Sequence, residues 1–180
     1  MTDLFTPMDL NGLALPNRIW MSAMMRTRAT ADNIPTPLMG EYYGQRVTAG
    51  LIVTECTAVS EQGKGVINGP GLWTEDQVKG WRGVTEAVHN AKGRIFCQLW
   101  HCGRVAHQDM RGGALPVASS PLPAQGKFRF PDREADFSDA AQTCGIRDSA
   151  DRVRLRVDDG TCARGGLRWC GAACRERLFA

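Results

Sequence analysis

The sequence predicts an α/β fold built on a parallel sheet with crossover helices. Three nearly continuous apolar stretches, residues 19–25, 51–59 and 94–100, are typical of strands buried on both faces. Helical stretches separate them, giving strand–helix units of roughly 35–40 residues. Units of this size suit either a βα barrel or a doubly wound sheet, and three strands cannot close a barrel, which takes eight.

Local sequence patterns predict the elements that precede the second strand. Asn11-Gly12 is a two-residue turn signal between residues 8–10 and 13–15, which predicts a short β-hairpin cap. The first strand follows and ends in a polar loop. Residues 38–47 are predicted helical because Leu38, Tyr42 and Val47 recur near one face.

The second strand leads into a glycine-rich loop over residues 62–71. Thr74, followed by Glu75 and Asp76, predicts the start of a second helix, and Gly93 predicts its end before the third strand. One apolar stripe runs along this helix, through Val78, Trp81, Val84, Ala87 and Val88.

The overall composition is that of an ordinary globular chain, with 180 residues, 43% hydrophobic and 23% charged. No apolar run approaches the length of a membrane span, and no charged-then-apolar leader is visible. We therefore expect a cytoplasmic protein without a membrane partner, whose seven cysteines are free thiols.

The composition changes sharply near Thr143. Residues 1–143 hold 14 Lys or Arg and 14 Asp or Glu, so they carry no net charge. Residues 144–180 hold eight Arg, no Lys and five acids, and they supply the whole net charge of +3 together with four of the seven cysteines. The sequence thus divides into residues 1–143 and a distinct tail, residues 144–180.

Polar groups follow the third strand directly. Gln98, Trp100, His101 and Arg104 bring hydrogen-bond donors, a large ring and a charge to its carboxyl end, where ligands sit in parallel α/β folds. The alternative is that Trp100 and His101 are a satisfied edge of the core. A phosphate-binding glycine loop and a zinc-protease pattern are both absent from the sequence.

Several longer motifs carry a family resemblance. They are Leu4-Phe5-x-Pro7, Leu15-x-Asn17-Arg18-Ile19, Met21-Ser22-Ala23-Met24-Met25-Arg26-Thr27-Arg28, Tyr42-Tyr43-x-Gln45-Arg46-x-Thr48-Ala49-Gly50-Leu51-Ile52-Val53-Thr54-Glu55, Gln98-Leu99-Trp100-His101-x-Gly103-Arg104 and Ala118-Ser119-Ser120. Over residues 4–143 the chain resembles the N-terminal part of the old yellow enzyme family. The resemblance implies about three βα units of a TIM (β/α)8 barrel, FMN as cofactor, and hydride transfer from NAD(P)H to an activated alkene, a nitroester or a similar small electrophile.

The resemblance also implies which residues would contact the flavin. Gln98 matches a glutamine whose amide binds the pyrimidine edge, and Cys56 matches a small residue, Ala or Gly, beside the ring. The segment that lies along the ring through backbone groups corresponds to Ala23, Met24 and Met25. Met25 stands where the family usually has a Thr whose hydroxyl binds a flavin carbonyl, a bond that Met cannot donate.

Two further positions resemble the substrate side of the site. Trp100 matches a position near the substrate pocket, and Val66 stands where many relatives have a substrate-side Tyr, which suggests a changed pocket. The alternative for Met25 and Cys56 is plain packing at strand ends.

The tail lacks the catalytic motif that the resemblance implies after the fourth strand. Suppose that each codon of the tail consists of the last base of one true codon and the first two bases of the next. Trp169 then implies a codon for Gly, while Ala173 allows His, Glu176 allows Asn and Leu178 allows Tyr. These residues appear in the order of the family motif. We therefore hypothesise a frameshift near Thr143. The chain would then have no catalytic residues of its own and an irregular tail.

Other interpretations of the tail are a zinc site or a nucleic-acid arm. Cys162, Cys170 and Cys174 do not have the spacing of paired zinc ligands, and the tail has no His. Its five acids and lack of stacking aromatics argue against binding to nucleic acid. We expect neither a metal site nor a nucleic-acid partner, and the oligomeric state stays open.

The 180-residue chain is thus expected to be an incomplete and inactive fragment of a flavin enzyme, or alternatively a non-catalytic remnant that does not bind flavin. Resequencing the gene from codon 135 onwards tests the frameshift. One base gained or lost near codon 143, with an open frame continuing beyond codon 180, is the expected result. A confirmed frame that stops after Ala180 contradicts it.

Overall fold

The computed structural model describes residues 3–142 and the backbone of residues 168–170. Its first elements are β1 (Met8–Leu10), β2 (Leu13–Leu15), β3 (Trp20–Met21), α1 (Pro37–Gly44), β4 (Leu51–Ala58), α2 (Glu75–Asn90) and β5 (Ile95–Trp100). After β5 come a 3-10 helix (Gln108–Arg111), β6 (Val117–Ala118), β7 (Lys127–Arg129), β8 (Glu134–Asp136), β9 (Ala141–Gln142) and β10 (Arg168–Cys170). The predicted α/β class is confirmed.

The central sheet has the order β3-β4-β5-β10, and all three pairings are parallel. A parallel pair needs a crossover connection, and α1 and α2 supply the crossovers from β3 to β4 and from β4 to β5. All carboxyl ends therefore lie at one edge of the sheet, as the sequence predicts.

The hairpin cap forms as predicted. β1 and β2 pair antiparallel with Met8 opposite Leu15, and Asn11 and Gly12 form the turn with φ of 48° and 84°. Positive φ at both central residues is the geometry that favours Asn-Gly. The Gly12 N–H also donates to Asp9 Oδ1 at 2.9 Å.

The first sheet strand is shorter than the predicted 19–25. Only Trp20 and Met21 pair with β4, opposite Leu51 and Ile52. Further along, the N–H groups at 26 and 27 donate to the side chain of Glu55 instead of to a neighbouring strand. The chain therefore leaves the sheet early.

Helix α1 ends at Gly44, three residues before the predicted end. The N–H of Arg46 donates to the carbonyl of Tyr43, and the N–H of Ala49 donates to that of Arg46. These bonds span three residues, which is the tighter spacing of turns that follow helix ends.

Helix α2 begins where the sequence predicts. Thr74 caps it, because its side chain accepts the N–H of Gln77 while the Gln77 side chain accepts the N–H of Thr74. This reciprocal arrangement is a capping box. Gln77 also donates to the carbonyl of Asp32 at 3.1 Å, so the start of α2 is tied to the loop after β3.

The core lies between the sheet and the two helices. Trp81 is fully buried there, and its Nε1–H donates to the carbonyl of Gly71 at 3.1 Å, so the large ring is packed without an unsatisfied polar group. The buried cluster consists of Ala29, Met39, Tyr43, Ile52, Leu72, Val78, Trp81, Val84, Val88, Ile95 and Cys97.

The expectation of an irregular tail is wrong for three residues. Arg168–Cys170 form β10, which pairs with β5 at Phe96, Cys97 and Gln98. The edge of β5 away from β4 presents backbone N–H and C=O groups that need partners, and a fourth strand supplies them. The remaining tail positions, including Ala173, Glu176 and Leu178, lie outside the described residues. In the part that is described, no helix has the length and apolar character needed to cross a membrane.

Replacing Thr74 with Ala should destabilise the fold by about 1 kcal/mol, because the N-terminal turn of α2 loses its side-chain acceptor. Thr74→Ser keeps a hydroxyl and should lose much less. Urea unfolding followed by tryptophan fluorescence measures both. Equal stability of Thr74→Ala and the unmodified chain would contradict a role for the cap.

Candidate functional site

A cleft opens at the carboxyl ends of β4 and β5, beneath the loop of residues 60–71. The cleft is narrow, with a cavity volume of about 10 Å³. The walls include Asn33, Cys56, Lys64, Val66, Pro70 and Trp100. Its position at the carboxyl edge of a parallel sheet is the one where such folds place ligands.

The cleft brings together three of the residues predicted for the site, Cys56, Val66 and Trp100. Met25 lies close by, since a Cβ built on Gly69 would meet Met25 Cε at 3.4 Å and Val66 Cβ at 3.2 Å. Gln98 adjoins the wall through Cys56, whose Sγ lies 2.9 Å from Gln98 Oε1. Five of the seven predicted residues therefore gather around one cleft.

Ala23 and Met24 are placed differently. They follow β3 in an extended segment, outside the cleft walls, and Met24 is 44% exposed. Within residues 3–142, the backbone N–H and C=O groups of residues 23–25 make no hydrogen bond. This segment consequently presents free backbone donors and acceptors beside the carboxyl edge of the sheet.

A buried carboxylate anchors the segment after β3. Glu55 is fully buried, and its Oε2 accepts the N–H of Arg26 at 2.9 Å and the N–H of Thr27 at 3.1 Å. Its Oε1 accepts the hydroxyl of Tyr43 at 3.3 Å, and the Tyr43 oxygen in turn accepts the Glu55 N–H at 2.9 Å. Such bonds compensate the desolvation of a buried charge, so this network joins β3, α1 and β4.

Tyr43 stays protonated in this network. Burial raises the pKa of its phenol far above the ordinary range, and the nearby Glu55 carboxylate raises it further. The hydroxyl therefore remains a donor to Glu55 at neutral pH and well above it.

The thiols of Cys56 and Cys102 are also protonated near neutral pH. Burial raises the pKa of Cys56, and the neighbouring Cys102 thiol adds to that shift. Burial likewise raises the pKa of Cys102, although the hydrogen bond from Trp100 opposes it. The thiolate is the nucleophilic form, so these cysteines act as hydrogen-bonding groups.

Trp100 is held at the rim by one of these thiols. Its Nε1–H donates to Cys102 Sγ at 3.3 Å, and the residue remains 42% exposed. A fixed and partly exposed ring can cover a flat ligand, and a binding role of Trp100 stays a prediction.

The other polar groups after β5 have structural contacts. Arg104 donates to Ser120 Oγ at 2.9 Å and to the carbonyl of Leu122 at 3.1 Å, so it fixes the proline-bearing segment 118–123. His101 Nδ1 accepts the N–H of Gly103 at 3.0 Å. These contacts shape the loop rather than the cleft wall.

Sequence reasoning missed Asn33, Lys64 and the role of Glu55. Asn33 is buried with φ of 62°, and its Nδ2–H donates to the carbonyl of Gly69 at 2.7 Å, so it holds the loop over the cleft. The sequence does contain a signal for Glu55, because an acid inside an apolar strand is expected to be buried and to need hydrogen-bond partners. Among the described residues, no three His, Cys, Asp or Glu side chains cluster as metal ligands would.

Comparisons with known proteins agree on one family. Residues 3–152 match the model of the NADH:flavin oxidoreductase / NADH oxidase family. Flavin oxidoreductase hxnT of Emericella nidulans is 40% identical over 129 residues, which cover 69% of this chain and 33% of that protein. NADP-dependent oxidoreductase lnbE of Aspergillus flavus is 33% identical over an alignment of 202 residues. This alignment covers all of this chain and 53% of that protein.

Solved structures show the same likeness. The old yellow enzyme homologue from Zymomonas mobilis has a TM-score of 0.85 and 37% identity, covering 92% of this chain and 46% of that one. The present chain thus spans about a third to a half of the length of the proteins it resembles.

Replacing Glu55 with Leu should destabilise the fold by about 3 kcal/mol or more, because two backbone N–H groups and a phenol lose a charged acceptor at once. Glu55→Gln should cost about 1–2 kcal/mol, since its amide oxygen can still accept both N–H groups. Chemical unfolding ranks the two variants. Equal losses would show that the carboxylate is not the organising acceptor.

Proposed function

Because the chain belongs to the NADH:flavin oxidoreductase / NADH oxidase family, we propose that its residues form part of the flavin side of an FMN-dependent NAD(P)H oxidoreductase. The proposed substrates are small electrophiles such as activated alkenes and nitroesters. In this proposal residues 4–143 are about three βα units of a TIM (β/α)8 barrel. A bound FMN would supply hydride transfer from NAD(P)H to the substrate.

The single observation that carries the proposal is the set of unpaired polar groups along the carboxyl edge. Within residues 3–142, Gln98 Nε2 has no hydrogen-bond partner, and neither do the backbone groups of residues 23–25. An amide donor and a free backbone segment fit the polar edge and the flat ring of a flavin. In this assignment Gln98, Cys56, Ala23, Met24 and Met25 face the cofactor.

The cleft wall supports the proposed substrate side. Trp100 offers a ring at the rim, and Val66 offers a small apolar side chain on the facing loop. With Val in place of a substrate-side Tyr, the site would have one hydroxyl fewer and more room. The substrate would lie between the flavin and these two residues.

We further propose that the 180-residue chain does not turn over by itself. Among the described residues, the titratable groups that line the cleft are the protonated Cys56 thiol and Lys64, and no Tyr or His side chain lines it. The positions that would supply the family's His, Asn and Tyr are Ala173, Glu176 and Leu178 in a shifted frame. A cytoplasmic location fits the free thiols of Cys56, Cys97 and Cys102.

Titrating the purified chain with FMN, followed by flavin fluorescence, tests the cofactor assignment. We expect FMN to bind and Gln98→Leu to weaken binding about threefold to tenfold, the contribution of one hydrogen bond. Gln45→Leu, at an exposed glutamine directly after α1, is the matched control and should bind as the unmodified chain does.

A second assay supplies NADH or NADPH and 2-cyclohexen-1-one to the FMN-loaded chain. No reduction of the alkene is expected, because the cleft lacks the family's proton donor. Alkene reduction would contradict the proposed inactivity. Absence of FMN binding would favour a non-catalytic remnant instead.

A further inference from the structure

An irregularity in β4 decides which side chain faces Gln98. Val53 pairs with Phe96, and the next pairing joins Cys56 to Gln98. Two residues of β4, Thr54 and Glu55, therefore stand opposite one residue of β5. This is a β-bulge, which inserts an extra residue into one strand and re-aims the side chains that follow it.

Without the bulge, a regular register would place Glu55 opposite Gln98. Neighbouring residues of a strand point to opposite faces of the sheet. A shift of one residue therefore changes which side chain of one strand lies beside a given side chain of the next. The bulge sends the Glu55 carboxylate towards Tyr43 and Arg26, and it brings the Cys56 thiol beside the Gln98 amide. A charged neighbour of Gln98 is thereby replaced by a neutral hydrogen-bond donor.

Gln98 is held at both ends by β4. The hydroxyl oxygen of Thr54 accepts the Gln98 backbone N–H at 3.0 Å. At the tip of the side chain, the Cys56 Sγ–H donates to Gln98 Oε1 at 2.9 Å. The first contact fixes the backbone beside the bulge, and the second fixes the rotation of the amide group.

We propose that Cys56 is a positioning residue that orients the Gln98 amide, with Oε1 turned towards β4 and the Nε2 donors turned towards the cleft. A thiol that keeps its proton can act as a weak donor, and the amide oxygen is the acceptor of the Gln98 side chain. Burial raises the pKa of Cys56, which keeps the proton in place. The Ala or Gly that the family resemblance implies at this position could not make the contact.

The functional consequence rests on the proposed FMN site. With Oε1 turned towards β4, Gln98 directs its Nε2 donors at a ligand, so it favours an acceptor such as a carbonyl oxygen or an unprotonated ring nitrogen of a flavin. A freely rotating amide would spend part of its time with its oxygen towards that acceptor. Fixing the amide removes the unfavourable orientation and strengthens binding by preorganisation.

FMN titrations of single and double variants test this role. Cys56→Ala should weaken FMN binding about threefold to tenfold, as expected for one lost hydrogen bond. Cys56→Ser, which keeps a donor, should restore most of the affinity. In the Gln98→Leu background, Cys56→Ala should have no further effect, because the amide that Cys56 orients is gone.

Gln45→Leu is again the control, since this exposed side chain bonds to Glu41 and lies outside the cleft walls. It should bind FMN as the unmodified chain does. Equal affinity of Cys56→Ala and the unmodified chain would overturn the role in flavin binding, and so would a loss that is the same with or without Gln98.

A flavin-free measurement separates this inference from the proposed function. Raman difference spectra between the unmodified chain and Cys56→Ala isolate the S–H stretch of Cys56, which should lie below that of a free thiol. Gln98→Leu should shift this band upwards. An unshifted band overturns the orientation of Gln98 by Cys56. A shifted band in a chain that binds no FMN overturns the proposed function and leaves the oriented amide in place.

Discussion

The structure depends on the buried carboxylate of Glu55. A charge in an apolar strand is costly unless donors surround it, and here two elements provide them: the segment after β3 and helix α1. The N–H groups of Arg26 and Thr27 donate to this side chain instead of to a neighbouring strand. The Glu55 side chain thereby fixes the segment after β3 beside α1 and β4.

That arrangement also determines the composition of the cleft. Because the Glu55 side chain is directed to Tyr43 and to the segment after β3, the adjoining positions of β4 and β5 hold neutral groups, Cys56, Gln98 and Trp100. The loop above them is tied down by Asn33, whose amide donates to Gly69 and whose carbonyl accepts the N–H of Gly71. The hydrogen bonds of Glu55 and the candidate site thus both use strand β4. Glu55 belongs to the first and Cys56 to the second.

The sequence predicts those features that depend on short-range patterns. Asn11-Gly12 specifies its own turn, and Thr74 with Gln77 specifies the start of α2, because each signal acts over a few residues. The bulge in β4 is different, since Thr54 and Glu55 look like ordinary strand residues and the extra residue appears only when β5 sets the register. Strand β10 was missed for the same reason, because its partner lies about 70 residues earlier in the chain.

Most of the predicted site residues could be placed through the family resemblance, but their contacts could not. Cys56 and Gln98 are 42 positions apart, and nothing local indicates that thiol and amide meet. Tyr43 reaches Glu55 through the same kind of long-range geometry. Such contacts follow from register and crossover, which are properties of the assembled sheet.

The order of the strands has a consequence for how the chain acquires its structure. β3, β4 and β5 are neighbours in the same order in which they are synthesised, and each contact bridges one crossover rather than the whole chain. A nascent chain that emerges from its N-terminus can therefore add one strand–helix unit at a time to an edge that already exists. Each loop to be closed stays short, which keeps the entropic barrier of every addition low.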